Sequence, residues 1–94
     1  MDNETAYLFT FTFPIMSDAQ KHSRELITAV KNTIIAGAPE HYMQHADIPT
    51  DLRGNILKVG PIEVTFKEYD LTVEAIESFL KIAKFTVRFT SEEV

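Results

Sequence analysis

Two segments of the chain alternate large apolar residues with threonine or charged residues. They are residues 7–13 (Tyr-Leu-Phe-Thr-Phe-Thr-Phe) and residues 85–90 (Phe-Thr-Val-Arg-Phe-Thr). A period of two predicts a β-strand with one buried face and one exposed face. The two segments therefore predict strands near both ends of the chain, in a sheet that is covered on one side only.

A first helix is predicted over residues 18–36. Pro14 ends the first strand, and Ser17 followed by Gln20 predicts a capping box at the start of the helix. Gly37 is suited to end it in a left-handed conformation. The apolar stripe of this helix consists of Leu26, Ile27, Val30 and Ile34.

A second helix is predicted after residue 70, with Asp70 or Thr72 as its N-cap. Glu77 and Lys81 form a favourable pair four residues apart. Acidic residues occupy the first turns and Lys84 the end, which suits the helix dipole. The apolar stripe of this helix consists of Val73, Ile76, Phe79, Leu80 and Ala83.

The middle of the chain is harder to assign. Residues 38–55 are predicted to be irregular, apart from a short helix that Pro39 could open, with a turn at Gly54-Asn55. Residues 56–67 alternate again around Gly60-Pro61. A tight hairpin at Gly60-Pro61 is favoured because proline is costly inside a central strand. One strand with a bulge is the alternative.

The order strand, helix, strand, strand, helix, strand predicts a single α+β domain over residues 1–94. With right-handed crossovers it becomes a ferredoxin-like βαββαβ sandwich, a four-stranded antiparallel sheet with two helices on one face. A three-stranded βαβαβ variant is the alternative. The predicted core comprises Phe9, Phe11, Phe13, Leu26, Ile27, Val30, Ile34, Ile62, Val64, Phe66, Ile76, Phe79, Leu80, Phe85, Val87 and Phe89.

Residues 64–70 (Val-Thr-Phe-Lys-Glu-Tyr-Asp) with residues 73–76 (Val-Glu-Ala-Ile) resemble the third strand and second helix of an RNA-recognition motif. The resemblance covers about a fifth of the chain. That family stacks bases on strand aromatics. Here Pro61 and Glu63 stand where those rings would be, so the resemblance implies the sheet topology and speaks against RNA binding.

Composition narrows the classes of function. The 94 residues include no cysteine, which excludes disulfides and thiolate sites, and the net charge is −5. The nine basic residues are scattered, whereas binding to a phosphate backbone needs them clustered. No segment approaches the ~20 apolar residues of a membrane span, and the amino terminus, Met1-Asp2-Asn3-Glu4, is acidic. We therefore expect a cytoplasmic protein that binds neither nucleic acid nor membrane directly.

Catalytic and cofactor signals are weak. His41 and His45 would share a face of a short helix near Asp47, but zinc needs three or four ligands. The serines lack an elbow-like glycine context, and the three glycines form no phosphate-binding loop. We expect no catalytic residues, no metal and no cofactor, and thus no enzyme.

The remaining feature is an acidic cluster around the second helix. We expect this cluster to dock on a basic protein. A nucleic-acid-binding protein is one candidate partner. Small acidic regulators and inhibitors, phage-encoded ones included, act in this way. The residues of this predicted partner-binding face are Glu63, Glu68, Asp70, Glu74 and Glu77.

Two alternatives stay open. The domain could self-associate as a homodimer, through its open face or through an edge strand around residues 56–59. It could also bind a small ligand or metal, or act as an enzyme, through the 38–55 segment. The participants would be His41, Tyr42, His45 and Arg53.

Overall fold

A computed structural model describes residues 3–94 of the chain, so Met1 and Asp2 of the acidic amino terminus lie outside the described residues. The elements follow in the order strand, helix, strand, strand, helix, strand, with one 3-10 turn between the first helix and the second strand. Their bounds are β1 (Thr5–Thr12), α1 (Met16–Gly37), the 3-10 turn (His45–Asp47), β2 (Thr50–Arg53), β3 (Ile56–Val64), α2 (Phe66–Ile82) and β4 (Arg88–Glu93).

The four strands form one antiparallel sheet in the order β2-β3-β1-β4. Alternate residues of β1 and β3 are buried under the two helices, and their neighbours face the open side. The protein is therefore an α+β domain with a four-stranded antiparallel sheet and two helices. The three-stranded alternative is wrong.

Phenylalanines and aliphatic residues of the two central strands fill the core, as their period of two predicted. Phe9 and Phe11 are completely buried, and Phe89 of β4 stacks on Phe11 with ring centroids 5.0 Å apart. Ile27, Phe79, Leu80, Phe85, Val87 and Phe89 are only partly buried at the margin. The completely or nearly completely buried side chains are Phe9, Phe11, Phe13, Leu26, Val30, Ile34, Ile48, Leu57, Val59, Ile62, Val64 and Ile76.

The predicted caps of α1 are wrong, although the helix itself is confirmed. Ile15 is the N-cap and makes no side-chain hydrogen bond, so Ser17 lies inside the first turn. The Phe13 N–H donates to the Asn55 carbonyl at 2.8 Å, and the chain turns directly after Phe13. The helix therefore begins earlier than predicted. Gly37 is the last helical residue and has no positive φ. Instead, a Cβ at Gly37 would lie 3.0 Å from the Thr72 hydroxyl, so its small size lets α1 approach α2.

The predicted hairpin at Gly60-Pro61 is wrong. The turn lies at Gly54-Asn55, where Gly54 has φ +61°, and β3 runs through residues 56–64 as one strand. Tyr7 opposes Ile62 and Phe9 opposes Val59. Two residues of β3, Gly60 and Pro61, therefore face one residue of β1, Leu8. This bulge accommodates the proline that made a continuous strand look unfavourable. The missing fourth strand is β2, which lies within the segment predicted to be irregular.

The start of α2 is also earlier than predicted. Thr65 is the N-cap, not Asp70 or Thr72: its hydroxyl accepts from the Glu68 nitrogen at 3.2 Å, and the Glu68 carboxylate accepts from the Thr65 nitrogen at 2.8 Å. Phe66 therefore belongs to the helix and is 69% exposed, so its place in the predicted core is wrong. The RNA-recognition-like strand stops at Val64 for the same reason.

The last strand begins later and ends later than the alternation predicted. Arg88 starts β4 and Glu93 ends it, so the acidic tail is part of the sheet. Glu92 lies opposite Leu8 and Glu93 opposite Tyr7. The sheet thereby carries the tail's carboxylates to the end of the molecule where β1 begins.

Candidate functional site: the acidic end

One end of the molecule gathers the start of β1, the ends of β3 and β4, the start of α2 and the loop after α1. The register shows this directly, since Thr5 pairs with Val64 and Tyr7 pairs with Glu93. We call this region the acidic end. Its carboxylates are Glu4, Glu40, Glu63, Glu68, Asp70, Glu92 and Glu93, and Lys67 is the lysine among them.

Three of the five predicted partner-binding residues meet here. Glu63 lies on the open face of the sheet opposite Ala6, and Glu68 and Asp70 lie in the first turn or so of α2. Glu74 follows about one turn later. Glu77 lies further along, beside Phe89 of β4 in a shallow depression, and is separated from the first three by more than a helical turn.

Sequence reasoning missed Glu4, Glu92 and Glu93 as members of this region. The tail was visible in the sequence, but its position depends on the pairing of β4 with β1. The apolar alternation ends at Phe89, because Ser91 takes the next inward-facing position of the strand. Register depends on the buried pattern and on turn geometry, and the polar tail offers no buried pattern that would specify it.

The loop after α1 ties the acidic end together through His41. Its Nε2 contacts the Glu4 carboxylate, and its Nδ1 lies 3.3 Å from the Glu68 carboxylate. Partial desolvation lowers the pKa of His41, but the charges of Glu68 and Glu4 and their hydrogen bonds outweigh it and raise that pKa. For Glu68, desolvation raises the pKa, while the Thr65 hydrogen bonds and His41 outweigh it and lower that pKa. The His41 side chain thus links the start of β1, the loop and the helix.

Two tyrosines further order this end. The Tyr42 hydroxyl accepts from the Glu63 backbone nitrogen at 2.8 Å, which joins the loop to the end of β3. The Tyr69 hydroxyl lies 2.5 Å from the Ser91 hydroxyl. The Tyr69 ring stacks on Tyr7, with ring centroids 4.0 Å apart. Helix, loop and three strands are therefore cross-linked beneath the exposed carboxylates.

The opposite end of the molecule has the opposite charge pattern. It contains the end of β1, the start of β3 and β4, the β2–β3 turn and the end of α2. Thr12 pairs with both Arg88 and Ile56, which fixes these elements together. We call this region the basic end; it also carries the carboxylates of Asp18 and Asp51, and its cations are Lys21, Arg53, Lys58, Lys81, Lys84 and Arg88.

The 38–55 segment does not form the predicted short helix around His41 and His45. His41 lies in a turn at the acidic end, while His45 Nε2 is 2.6 Å from the Asn32 amide oxygen on α1. The two imidazoles therefore have separate partners. Throughout residues 3–94, no three histidine, aspartate or glutamate side chains are grouped so that they could hold a metal ion.

The open face of the sheet carries hydroxyls and charges of both signs. Thr10, Thr12, Glu63, Arg88 and Thr90 lie on it. The alternation of the sequence would also place Thr65, Lys67 and Thr86 on this face, but the first two belong to the start of α2 and the third precedes β4. Asp51, Arg53, Ile56 and Lys58 complete this face near β2 and line a shallow depression.

Among the described residues, no helix is both long and apolar enough to cross a membrane. Comparison with known proteins finds no matching family model, no matching curated protein and no matching solved structure. The functional argument therefore depends on the arrangement of this chain's own residues.

Proposed function

We propose that this protein is a non-enzymatic regulatory or inhibitory module that docks its acidic end on a basic surface of a protein partner. We favour a nucleic-acid-binding protein as the partner, because its binding surface presents clustered Lys and Arg. We also propose that the fold is ferredoxin-like, on the order of the elements and on the position of β1 between β3 and β4.

The observation that carries the proposal is the separation of charge along the molecule. The principal extents are 44 × 24 × 22 Å. A helix of the length of α1 spans about 33 Å, so the long dimension follows the helices and strands. Seven carboxylates and Lys67 occupy one extremity, whereas six of the nine lysines and arginines occupy the other beside Asp18 and Asp51. Such a dipole orients and speeds the approach of a basic partner towards the acidic end.

Helix capping accounts for only part of this cluster. Glu68 completes the capping box, and Asp70 suits the amino-terminal dipole of α2. Glu63, Glu92 and Glu93 belong to strands and gain nothing from that dipole. Glu63 and Glu92 lie on the open face opposite Ala6 and Leu8, where their like charges carry a cost that docking on a basic surface would relieve.

Charge reversal at one exposed position tests the proposal. Glu63→Lys leaves the backbone hydrogen bond to Tyr42 in place and changes the net charge from −5 to −3. The matched control is Glu25→Lys, which makes the same charge change at an exposed position of α1. Affinity capture from host extract with each variant should retain the partner with Glu25→Lys and lose it with Glu63→Lys.

Salt provides the second arm of the experiment. An electrostatically steered complex associates more slowly as ionic strength rises. The association rate of the captured partner should fall several-fold between low and physiological salt. A rate independent of salt, or equal loss of binding in both variants, would contradict docking through the acidic end.

The proposal includes a cytoplasmic location, which the cysteine-free composition fits. It assigns no catalytic residue, cofactor, direct nucleic-acid contact or membrane contact. Two observations favour docking over the alternative of a ligand site in residues 38–55. Residues 50–53 belong to the sheet, and His41 contacts Glu4 and Glu68.

A further inference from the structure

The edge of β2 is open for pairing with another strand. The Pro49 carbonyl accepts from the Gly60 nitrogen at 2.8 Å, so position 49 faces β3. Alternation along an antiparallel strand then turns the peptide groups of Asp51 and Arg53 towards β3. The N–H and C=O groups of Thr50 and Leu52 point away from the sheet. An uncovered edge of this kind is a template for a further strand.

The sequence of β2 is complementary to itself in the antiparallel direction. If a second copy is placed with Leu52 opposite Leu52, Asp51 of each copy lies opposite Arg53 of the other. The Leu52 residues then exchange two backbone hydrogen bonds. The Asp51–Arg53 positions form non-hydrogen-bonded pairs, in which side chains approach most closely.

The charged side chains needed for this pairing are already on one face. Within the chain, Arg53 Nε lies 2.9 Å from the Asp51 carboxylate, so both side chains project to the open side of the sheet. Lys58 of β3 lies opposite Asp51. Pairing would exchange the exposed intramolecular contact of each copy for two intermolecular contacts across the two-fold axis.

Exposed apolar residues surround the same edge. Leu52 and Ile56 are each 39% exposed, and Ile15 and Met16 are each 56% exposed. Met16 lies beside the turn, 4.0 Å from the place a Cβ would take at Gly54. Leu52 stays partly exposed, although α1 packs on the neighbouring β3. A second copy would bury the side chains that the basic end leaves in water.

The other edge of the sheet is less suitable. Arg88 and Glu92 of β4 are also complementary in an antiparallel pair. However, α2 lies along this edge, since Tyr69 bonds Ser91 and Glu77 lies beside Phe89. Two-fold pairing through β4 would bring two α2 helices together with Glu74 and Glu77 between them. Like charges in that position oppose association.

We propose that two copies of this chain pair antiparallel through β2, with Leu52 at the two-fold axis, and form one continuous eight-stranded sheet. The four strands of each copy keep their order. The two acidic ends then point in opposite directions and stay accessible. The dimer is thus independent of partner docking, and each can fail without the other.

Charge variants of β2 test the dimer by sedimentation over a concentration series. Arg53→Asp places two aspartates opposite two aspartates, and Asp51→Arg places two arginines opposite two arginines. The dissociation constant of the dimer should rise about tenfold or more in each variant alone, because two cross-strand pairs change from attraction to repulsion. An equimolar mixture of the two should restore the dimer, because every pair is then complementary.

Arg88→Asp on β4 is the matched control and should leave the dimer unchanged. Circular dichroism checks that each variant is folded, and the mixture rescues only folded chains. A wild-type monomer at every concentration would overturn the proposal. So would a dimer that Arg88→Asp disrupts, a dimer that Arg53→Asp leaves intact, or a mixture that stays monomeric.

Discussion

The two ends of this molecule are built from the same elements but in different ways. At the acidic end, side chains cross-link the elements: His41 contacts Glu4 and Glu68, Tyr42 bonds the end of β3, and Tyr69 meets Ser91. At the basic end, the bond from the Asn55 amide to the Phe13 carbonyl, 2.7 Å long, joins the β2–β3 turn to the chain after β1. Around it lie exposed apolar side chains and an open strand edge.

The difference shows how one small domain can carry two kinds of surface. Contacts with His41 hold the carboxylates of Glu4 and Glu68 in place, and charges held in this way favour oriented recognition of a basic partner. An open edge with Leu52 at its centre suits strand pairing, for which main-chain groups supply most of the bonds. The predictions below compare matched residues at the two ends.

The largest difference is expected between two glycines. Gly60 has φ +114°, and a Cβ there would lie 2.9 Å from the Tyr7 carbonyl oxygen. Gly60→Ala should lower the free energy of unfolding by about 3 kcal/mol, through a strained backbone and a clash with main chain. Gly54 has φ +61°, and a Cβ there would meet only the Met16 side chain, in ordinary contact at 4.0 Å. Gly54→Ala should cost about 1 kcal/mol. Urea unfolding measures both, and equal costs would contradict the bulge geometry.

A smaller difference is expected between the two helix starts. Thr65→Ala removes the hydroxyl that accepts from the Glu68 nitrogen, and should lower the free energy of unfolding by about 1 kcal/mol. Ser17→Ala removes no cap, since α1 has no side-chain hydrogen bond at its N-cap, and should cost less than about 0.5 kcal/mol. Thermal unfolding of the two variants compares them. A larger loss for Ser17→Ala would show that the two helix starts are misassigned.

The smallest effect is a pH dependence at the acidic end. The pKa of His41 is raised in the folded protein, so its stabilisation is complete below about pH 6.5, the unfolded value, and is lost as pH rises through the folded pKa. Glu68 has a lowered pKa, so its contribution is present above the unfolded value and is lost as pH falls through the folded one. His41→Gln should flatten the loss of stability above pH 6.5.

His45→Gln is the matched control for this pH dependence, because His45 contacts Asn32 and neither carboxylate of the acidic end. Melting temperatures over a pH series from 5 to 9 should show the wild-type slope in His45→Gln. If His41→Gln kept that slope as well, another group would be responsible for it.

Much of the fold follows from residue patterns, because burial imposes a period on each element. The alternation of residues 7–13 placed the central strand, and the stripe around Leu26 and Val30 placed α1. Boundaries were harder to predict, since alternation continues from Val64 through Phe66 although the chain becomes helical. The capping box of Thr65 and Glu68 was a readable signal for that change.

The sequence predicted a cluster of carboxylates near the start of α2, but not all of the residues that belong to the acidic end. Glu63, Glu68 and Asp70 are near in sequence, so a local argument sufficed. Glu4, Glu92 and Glu93 join them through strand pairing, which a local pattern does not specify. The open edge was placed at residues 56–59 and lies instead at β2, because the hairpin turn was assigned to Pro61 rather than to Gly54.

Backbone amide chemical shifts on adding a lysine-rich peptide at low salt test the central claim most directly. The account predicts that the largest changes fall at residues 63–70 and 91–94, and that they disappear when salt is raised. Amides of residues 50–56 should keep their shifts. Largest changes at residues 50–56, or equal changes over the whole surface, would contradict the assignment of the acidic end as the docking surface.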